Sequence, residues 1–237
     1  PRRTLAWDCA TGNGQAATGL AAVFEKVIAT DASERQISLA VPHPRIDYRV
    51  ATAYDSGIAD ASLDAVTVAQ ALHWLDADRF HMEVQRVLAS DGFVCVWAYG
   101  DPVFDSPELH SIVDKYNHGT VENYWKPERR HVLDGYSRLP FPYREVQAPA
   151  FMLEREWTLP ELAGFVRTWS STAAYVAERG IDPVVALEHE LFAHWGEKEE
   201  RRIVRWPLSV RAGYPWPQKA LTGQRPPASE PPANGAV

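Results

Sequence analysis

The sequence predicts an α/β fold built on a doubly wound, mostly parallel sheet. Short apolar segments at 5–7, 27–31, 46–50, 63–69 and 93–97 predict five strands. The segment 63–69 is almost continuously apolar, which is typical of a strand covered on both faces. Segments of helical periodicity separate the strands, and strands connected in this way pair in parallel. The ligands of such sheets bind at the carboxyl ends of the strands.

Three helices are predicted between these strands. The first begins at Gln15 and is rich in small residues, which suits close packing on a sheet. Ser33 and Gln36 have the spacing of a capping box, so the second helix begins there. Phe80 and Val84 lie on the apolar face of the third helix, which we expect to end before Gly92.

The second half of the chain departs from this alternation. Ser106, followed by proline, predicts a helix start. Residues 117–143 are rich in aromatic and basic side chains and weakly periodic, so we interpret them as a lid. Residues 145–157 predict one strand or a broken strand, and two late helices should follow it, the first beginning with a capping box at 158–161.

The second of these helices begins at Asp182 and Pro183 and runs to about Gly196. A last strand is predicted over 203–210, where Pro207 favours an edge position or a bulge.

These patterns divide the chain into four parts. Residues 1–104 form the predicted ligand-binding core, and 105–143 form the lid insertion. Residues 144–214 complete the sheet with strands and helices. Residues 215–237 are rich in proline and alanine, and we expect them to be disordered.

Composition excludes several classes of function. The net charge of -7 disfavours nucleic-acid binding, which needs clustered Lys and Arg. The two cysteines cannot form a disulfide framework, which favours a reducing, cytoplasmic location. We expect no transmembrane helix, no membrane association and no signal peptide. The histidines and cysteines have no metal-ligand spacing, so no metal is predicted.

The sequence DCATGNGQ at residues 8–15 is the clearest candidate for a ligand-binding loop. Gly12, Gly14 and Ala17 satisfy the loose dinucleotide pattern, and Asp31 lies where a ribose-binding acid is expected. Asp8 argues against a pyrophosphate, because two unit charges about 4 Å apart interact by roughly 4 kcal/mol even at an effective dielectric of 20. A ligand that carries an ammonium or sulfonium group would be attracted instead. An NAD-linked oxidoreductase remains the alternative at this point.

Four segments together resemble a known family. They are residues 5–15, 27–33, 62–74 and 86–93. The third of these segments ends in the sequence QALHW. In this order they resemble the class I S-adenosylmethionine-dependent methyltransferases, and most closely the small-molecule type 11 group, which includes trans-aconitate methyltransferase-like proteins. The resemblance implies a seven-stranded, Rossmann-like sheet with a helical lid insertion. It also implies S-adenosylmethionine as cofactor and methyl transfer to a small molecule.

The resemblance implies roles for particular residues. The backbone from Asp8 to Gly14 would hold the methionine part, Asp31 the ribose, and Ala53 with Tyr54 the adenine. The residues implied in cofactor binding are Asp8, Ala10, Thr11, Gly12, Asn13, Gly14, Gln15, Asp31, Ala32, Ala53, Tyr54, Gln70 and Ala71.

Two positions depart from the family pattern. Ala10 replaces the first glycine of the motif, which is tolerable if its φ is negative. Thr52 stands where the family often has an aspartate, so a contact to the adenine amino group would be missing.

Side-chain chemistry predicts which residues bind the molecule that receives the methyl group. His73 is a candidate general base, because histidine titrates near neutral pH. The candidates for lining the substrate side are Trp74, Tyr116, Tyr124 and Trp125, whose aromatic faces also attract a sulfonium. The residues Lys126, Arg129, Arg130 and Arg138 form a basic cluster that could bind a substrate carboxylate.

The sequence therefore predicts a methyltransferase that acts on a small molecule, with a carboxylic acid as one candidate acceptor. A methyltransferase fold that binds without catalysing is a further alternative. We expect a monomer or a homodimer.

Overall fold

Nine strand segments form one mixed sheet in the computed structural model, which describes residues 2–216. The strands are β1 (Leu5–Cys9), β2 (Lys26–Asp31), β3 (Ile46–Val50), β4 (Leu63–Ala69), β5 (Leu88–Tyr99), β6 (Val103–Phe104), β7 (Arg144–Val146), β8 (Phe151–Trp157) and β9 (Arg202–Tyr214). The predicted disordered tail lies outside the described residues from position 217 onward.

Eight α-helices accompany the sheet within residues 2–216. They are α1 (Gln15–Leu20), α2 (Glu34–Ser38), α3 (Ala77–Val87), α4 (Pro107–Lys115), α5 (Arg129–Leu133), α6 (Leu159–Arg167), α7 (Ser170–Arg179) and α8 (Val184–Trp195). A 3₁₀ turn spans Leu72–Trp74, and a π-helical turn spans Tyr116–Thr120.

The sheet has a parallel half and an antiparallel half. The strands β3, β2, β1, β4 and β5 lie side by side in that order, and all of them are parallel. The strand β9 then pairs antiparallel with β5. This arrangement confirms the predicted doubly wound, mostly parallel fold.

The nine segments occupy seven positions in the sheet. Val204 of β9 pairs with Phe104 of β6 and also with Arg155 of β8, so β6 and β8 lie on opposite edges of β9. Likewise, Ala212 pairs with Cys95 of β5 and with Val146 of β7. The segments β5 and β6 therefore share one position, and β7 and β8 share another, as the seven-stranded prediction requires.

Of the two alternatives predicted for the last strand, an edge position or a bulge, the edge position is wrong. The strand β9 is interior, because it is paired along both of its edges. Pro207 pairs with Met152 of β8, and on its other side it lies opposite the break between β5 and β6. A residue without an N–H group is tolerated there, because no ladder partner faces it on that side.

Three helices, not the predicted two, connect β8 to β9. The capping box predicted for α6 is present, since Thr158 and Glu161 exchange side-chain to backbone hydrogen bonds. The helix α7 was not predicted. Its N-cap residue, Trp169, makes no side-chain capping bond, and only Ser171 and Thr172 are buried in it, so it lacks both usual sequence signals.

The apolar interior consists of separate clusters on the two halves of the sheet. One cluster packs β1, β4, β5 and α3 around Trp7 and Phe80. A second cluster packs α4, α6 and α8 against β9 around Trp195 and Trp206. No helix within residues 2–216 is long and apolar enough to cross a membrane.

Candidate functional site

The glycine loop joins β1 to α1 at the carboxyl end of the sheet. The Thr11 N–H donates to the Thr30 carbonyl at 2.9 Å, and the Gly14 N–H donates to the Thr11 carbonyl at 3.0 Å. Gly12 and Gly14 have φ values of +58° and +91°. A side chain at Gly14 would collide with the Tyr48 ring, whereas a Cβ at Gly12 would meet no atom within 4 Å. The loop therefore presents bare backbone to an open space on the Gly12 side.

Ala10 does not meet the condition under which its methyl group was expected to be tolerated. Its φ is +54°, in the left-handed region that favours glycine. For a residue with a Cβ, this conformation costs roughly 1–2 kcal/mol. The expectation of a negative φ is therefore wrong, and the loop contains a strained residue at the position of the first glycine of the motif.

Asp8 lies beneath the loop and not on its surface. Its side chain is fully buried and accepts hydrogen bonds from the hydroxyls of Thr11 and Thr67, the latter at 2.9 Å. Burial raises the pKa of this carboxyl group to about 6, and the two hydroxyls oppose that rise. Because the carboxyl group is fully buried beneath the loop, no direct contact between Asp8 and a ligand ammonium group is seen in this geometry, and its predicted role in cofactor binding stays a prediction. Above its pKa, Asp8 still places a negative charge under the loop.

Asp31 ends β2 and faces the same loop. Its two oxygens accept the N–H groups of Gly12 at 2.9 Å and Ser33 at 2.8 Å. Each carboxylate oxygen can accept a second hydrogen bond, so both retain capacity for ribose hydroxyl groups. The neighbouring predicted residues Asn13, Gln15 and Ala32 are exposed around this position.

Of the two predicted adenine neighbours, Ala53 is buried, with 8% exposure, and Tyr54 is turned toward α3. The Tyr54 hydroxyl accepts the Asp76 N–H at 2.8 Å, and the Arg79 guanidinium lies 4.4 Å from the ring centre. The ring is therefore fixed between the end of β3 and the start of α3.

Gln70 ends β4 and is held in an uncommon conformation. Its φ is +54°, and its side-chain amide donates to the Tyr99 carbonyl at 2.8 Å and accepts the Tyr99 N–H at 2.9 Å. The Gln70 side chain is thus committed to β5. The Gln70 N–H donates to the Trp97 carbonyl at 2.9 Å, and the Ala71 carbonyl accepts the Trp74 N–H at 2.9 Å. The Gln70 carbonyl and the Ala71 N–H are the backbone groups that a ligand could contact here.

These observations fit S-adenosylmethionine. The open space over Gly12, the two oxygens of Asp31 and the charge of Asp8 combine space, hydroxyl recognition and attraction for a cationic ligand. In this arrangement the loop and Gln70 would hold the methionine part, and Asp31 the ribose.

A cleft of about 290 Å³ opens beside Gln70. Its lining residues are Gln70, His73, Trp74, Tyr99, Gly100, Asp101, Trp125, Lys126, Arg129, Val132, Phe165, Thr168, Trp169 and Ser170. The predicted residues His73, Trp74 and Trp125 therefore come together here, on the ends of β4 and β5 and under the lid.

Asp101 and Asn117 were not predicted, yet they organise the cleft. Asp101 accepts hydrogen bonds from the Arg129 guanidinium and from the Asn117 amide, the latter at 2.7 Å. The Asn117 carbonyl accepts the Trp125 indole N–H at 2.8 Å, and the Arg129 guanidinium stacks 3.6 Å from the Trp125 ring centre. Asp101 lies just past the end of β5, and its place at a strand end is a signal that could have identified it.

His73 faces the cleft from the 3₁₀ turn. Its Nδ1 atom lies 3.0 Å from the Tyr136 hydroxyl, and its ring packs beside Trp74 at 4.6 Å between ring centres. Burial lowers the His73 pKa to about 4, so the imidazole is neutral at pH 7. It is a weak base for a proton-transfer role.

Four other predicted residues lie outside this cleft. Tyr116 is buried in the second apolar cluster, where its hydroxyl contacts that of Thr172 at 2.9 Å. The Tyr124 hydroxyl contacts Glu178 and Arg179 on α7. Two basic residues also lie outside it: Arg130 is exposed, and Arg138 pairs with Asp134 at 3.3 Å. The weak periodicity of 117–143 could not show which side of the lid each residue occupies.

A family model described as a methyltransferase domain matches residues 7–96. A solved structure from Anaeromyxobacter dehalogenans, of a protein named as a Type II methyltransferase, shares 42% sequence identity with this chain at a TM-score of 0.85. The similarity covers 91% of this chain and 92% of that chain. This chain belongs to the class I S-adenosylmethionine-dependent methyltransferases.

Two further relatives of this chain are also named as methyltransferases. A protein of Dictyostelium discoideum named as a methyltransferase is 29% identical over 80% of this chain and 73% of its own length. A Saccharomyces cerevisiae protein named as an S-adenosylmethionine-dependent methyltransferase is 26% identical over 76% of this chain and 73% of its own length. S-adenosylmethionine is accordingly the cofactor, and the NAD-linked alternative is excluded.

Proposed function

We propose that this methyltransferase transfers the methyl group to a small molecule bound in the cleft beside Gln70. The observation that carries the proposal is the position and size of the cleft. It begins at the end of β4, the strand that pairs with β1 before the glycine loop, and its volume of about 290 Å³ is near the lower end of the range for small-molecule sites. A folded nucleic acid or a protein surface would not enter it.

The charges of the cleft favour an acceptor that carries a carboxylate. Asp101 already neutralises Arg129. The Lys126 ammonium lies 5.2 Å from the centre of the Trp74 ring, and no carboxylate within residues 2–216 forms an ion pair with it. Lys126 is exposed to solvent but lines the cleft, so its ammonium group is the expected contact for an acidic group of the acceptor.

The protein would contribute positioning more than acid–base chemistry. When bound, S-adenosylmethionine supplies a methyl group on a positively charged sulfur. Trp74 and Trp125 would confine the acceptor between the lid and the strand ends, and Lys126 would orient its anionic end. Holding two reactants in line in this way can supply several kcal/mol of the barrier reduction, in the range of roughly 7–11 kcal/mol for well-oriented reactions. A carboxylate is already deprotonated at pH 7, so it needs no base.

Turnover of matched acceptors tests this proposal. Purified protein with S-adenosylmethionine should methylate members of a panel of small aromatic and aliphatic acids, and should leave the corresponding primary amides unmodified. Methylated products and S-adenosylhomocysteine would be quantified by mass spectrometry. Turnover of the amides alone would contradict the acid assignment, and turnover only of nucleic acid or protein would contradict the small-molecule assignment.

Substitution of Lys126 tests the charge assignment separately. We expect Lys126→Gln to raise the KM for the acid by about tenfold or more, because it removes a hydrogen bond to a charged group. Lys115→Gln is the matched control, since Lys115 pairs with Glu190 and is absent from the lining of the cleft. Equal effects of the two substitutions would contradict the role of Lys126.

A further inference from the structure

The hydroxyl group of Tyr136 is the contact that fixes His73. Tyr136 is fully buried and has a φ of +64°, an uncommon conformation for a bulky residue. Its hydroxyl oxygen lies 3.0 Å from His73 Nδ1.

A count of donors and acceptors decides the direction of this hydrogen bond. The Tyr136 hydroxyl is buried, and among residues 2–216 its hydrogen-bonding partner is His73 Nδ1, so this nitrogen is the acceptor in reach of the phenol proton. In the opposite direction, Nδ1–H would donate to the phenol oxygen. The buried phenol proton would then be unsatisfied, which is rare in folded proteins.

The tautomer of His73 follows from this direction. A neutral imidazole carries one proton, and if Nδ1 accepts, that proton is on Nε2. His73 lines the cleft, and no hydrogen bond from its Nε2 to residues 2–216 competes with a ligand. The cleft therefore contains an N–H donor where a general base was predicted.

We propose that His73 binds the acceptor through its Nε2–H as a hydrogen-bond donor, and that Tyr136 is a positioning residue that fixes this tautomer. The inference rests on the proposed function, because it assigns the acceptor to the same cleft. In the transfer, an oxygen lone pair of the acceptor forms the new bond to the methyl carbon. The carbon–sulfur bond breaks, its electron pair stays on sulfur, and His73 transfers no proton. An N–H group at this position suits a methyl acceptor that has an oxygen with free lone pairs beside the reacting atom.

Nitrogen NMR tests the tautomer without any substrate. Protein labelled with ¹⁵N-histidine would be recorded at pH 7 in long-range ¹H–¹⁵N spectra, with His73 assigned by loss of its signals in His73→Gln. We expect the Nε2–H pattern, and we expect Tyr136→Phe to shift the signals toward a mixture of tautomers. An Nδ1–H pattern in the unmodified protein would overturn the proposal. Because the measurement uses no acceptor, its outcome is independent of the proposed function.

Two substitutions of His73 separate a donor from a base. The amide of His73→Gln can place an N–H near the position of Nε2, whereas His73→Asn can replace only Nδ1. Neither variant offers a base. If His73 is a donor, kcat/KM should fall at least about tenfold more in the Asn variant than in the Gln variant. Comparable losses in both variants, with cofactor binding unchanged, would overturn the assignment.

Discussion

Ala10 adopts a backbone conformation that glycine reaches without strain, and it does so in the loop that holds the cofactor. Strained residues persist where the surrounding structure fixes them, and they are frequent at ligand sites. Here β1 precedes the loop and α1 follows it, and the Thr11 N–H anchors the loop to the Thr30 carbonyl of β2. The strain in Ala10 is therefore maintained by the fold and lowers its stability.

Replacing Ala10 with glycine should stabilise the protein. The change removes roughly 1–2 kcal/mol of strain and adds roughly 0.4–1 kcal/mol of chain entropy to the unfolded state, so we expect a gain of about 0.5–1 kcal/mol. Urea unfolding would measure it. Ala17→Gly is the control, because Ala17 is buried within α1 and its replacement should destabilise. A loss of stability in Ala10→Gly would contradict the assigned conformation.

Removing the Asp31 carboxylate should weaken cofactor binding. Asp31→Ala loses an acceptor for ribose hydroxyl groups, which we expect to cost about 1.5–3 kcal/mol of binding free energy. Calorimetry with S-adenosylhomocysteine would give the change in Kd. Asp31→Asn retains one oxygen and should lose less. An unchanged Kd in the alanine variant would show that Asp31 does not bind the ribose.

The sequence indicated the loop and the strand ends because motif order and apolar periodicity are visible in it. It could not indicate the φ of Ala10, since a methyl group by itself does not reveal a torsion angle. It also could not show that Asp8 faces Thr67, a residue from another strand. Contacts between residues distant in sequence have no local signal.

At the scale of the elements, the lid is positioned by one turn of π-helix. This turn, Tyr116–Thr120, follows α4 directly and brings Asn117 into the protein interior, where it contacts Asp101 and Trp125. π-helical turns are rare and frequently occur at functional sites. The weak periodicity of the segment was visible in the sequence, but the inward direction of Asn117 was not. That direction depends on the π-helical turn, whose hydrogen bonds span one residue more than those of an α-helix.

Asn117→Ala should loosen the lid and destabilise the protein. It leaves the Trp125 indole N–H without its acceptor and removes one donor from Asp101, which we expect to cost about 1–3 kcal/mol in the free energy of unfolding. Chemical denaturation would measure this loss. The exposed His110→Ala on α4 removes a side chain without a hydrogen bond to residues 2–216 and should change stability by less than about 0.5 kcal/mol. Equal losses in both variants would contradict the role of Asn117.

For the whole molecule, the buried carboxyl group of Asp8 predicts a pH-dependent stability. Its pKa in the folded state is about 6, above its ordinary value of 3.8, so the folded protein binds more protons than the unfolded chain between these values. Stability from this group is therefore present at low pH and lost as the pH rises through about 6. The loss is on the order of 3 kcal/mol. Glu83 opposes this at lower pH, because the Arg86 guanidinium lowers its pKa to about 2.

Asp8→Asn should remove this dependence. The unfolding free energy of the variant minus that of the unmodified protein should increase as the pH rises from 4.5 to 7.5. Urea unfolding at both pH values would measure the difference. Thr67→Val is a useful comparison, since it removes a hydroxyl that stabilises the carboxylate and should steepen the loss. A difference between Asp8→Asn and the unmodified protein that is constant with pH would contradict the raised pKa of Asp8.

The apolar clusters on the two halves of the sheet support different parts of the site. The cluster around Trp7 and Phe80 supports the strands that present the glycine loop, and the cluster around Trp195 and Trp206 supports the helices over the cleft. Substitutions in the second cluster can reshape the cleft while the first keeps its packing. Substitutions around Trp195 and Trp206 should therefore change the helices over the cleft more than the strands that carry the glycine loop.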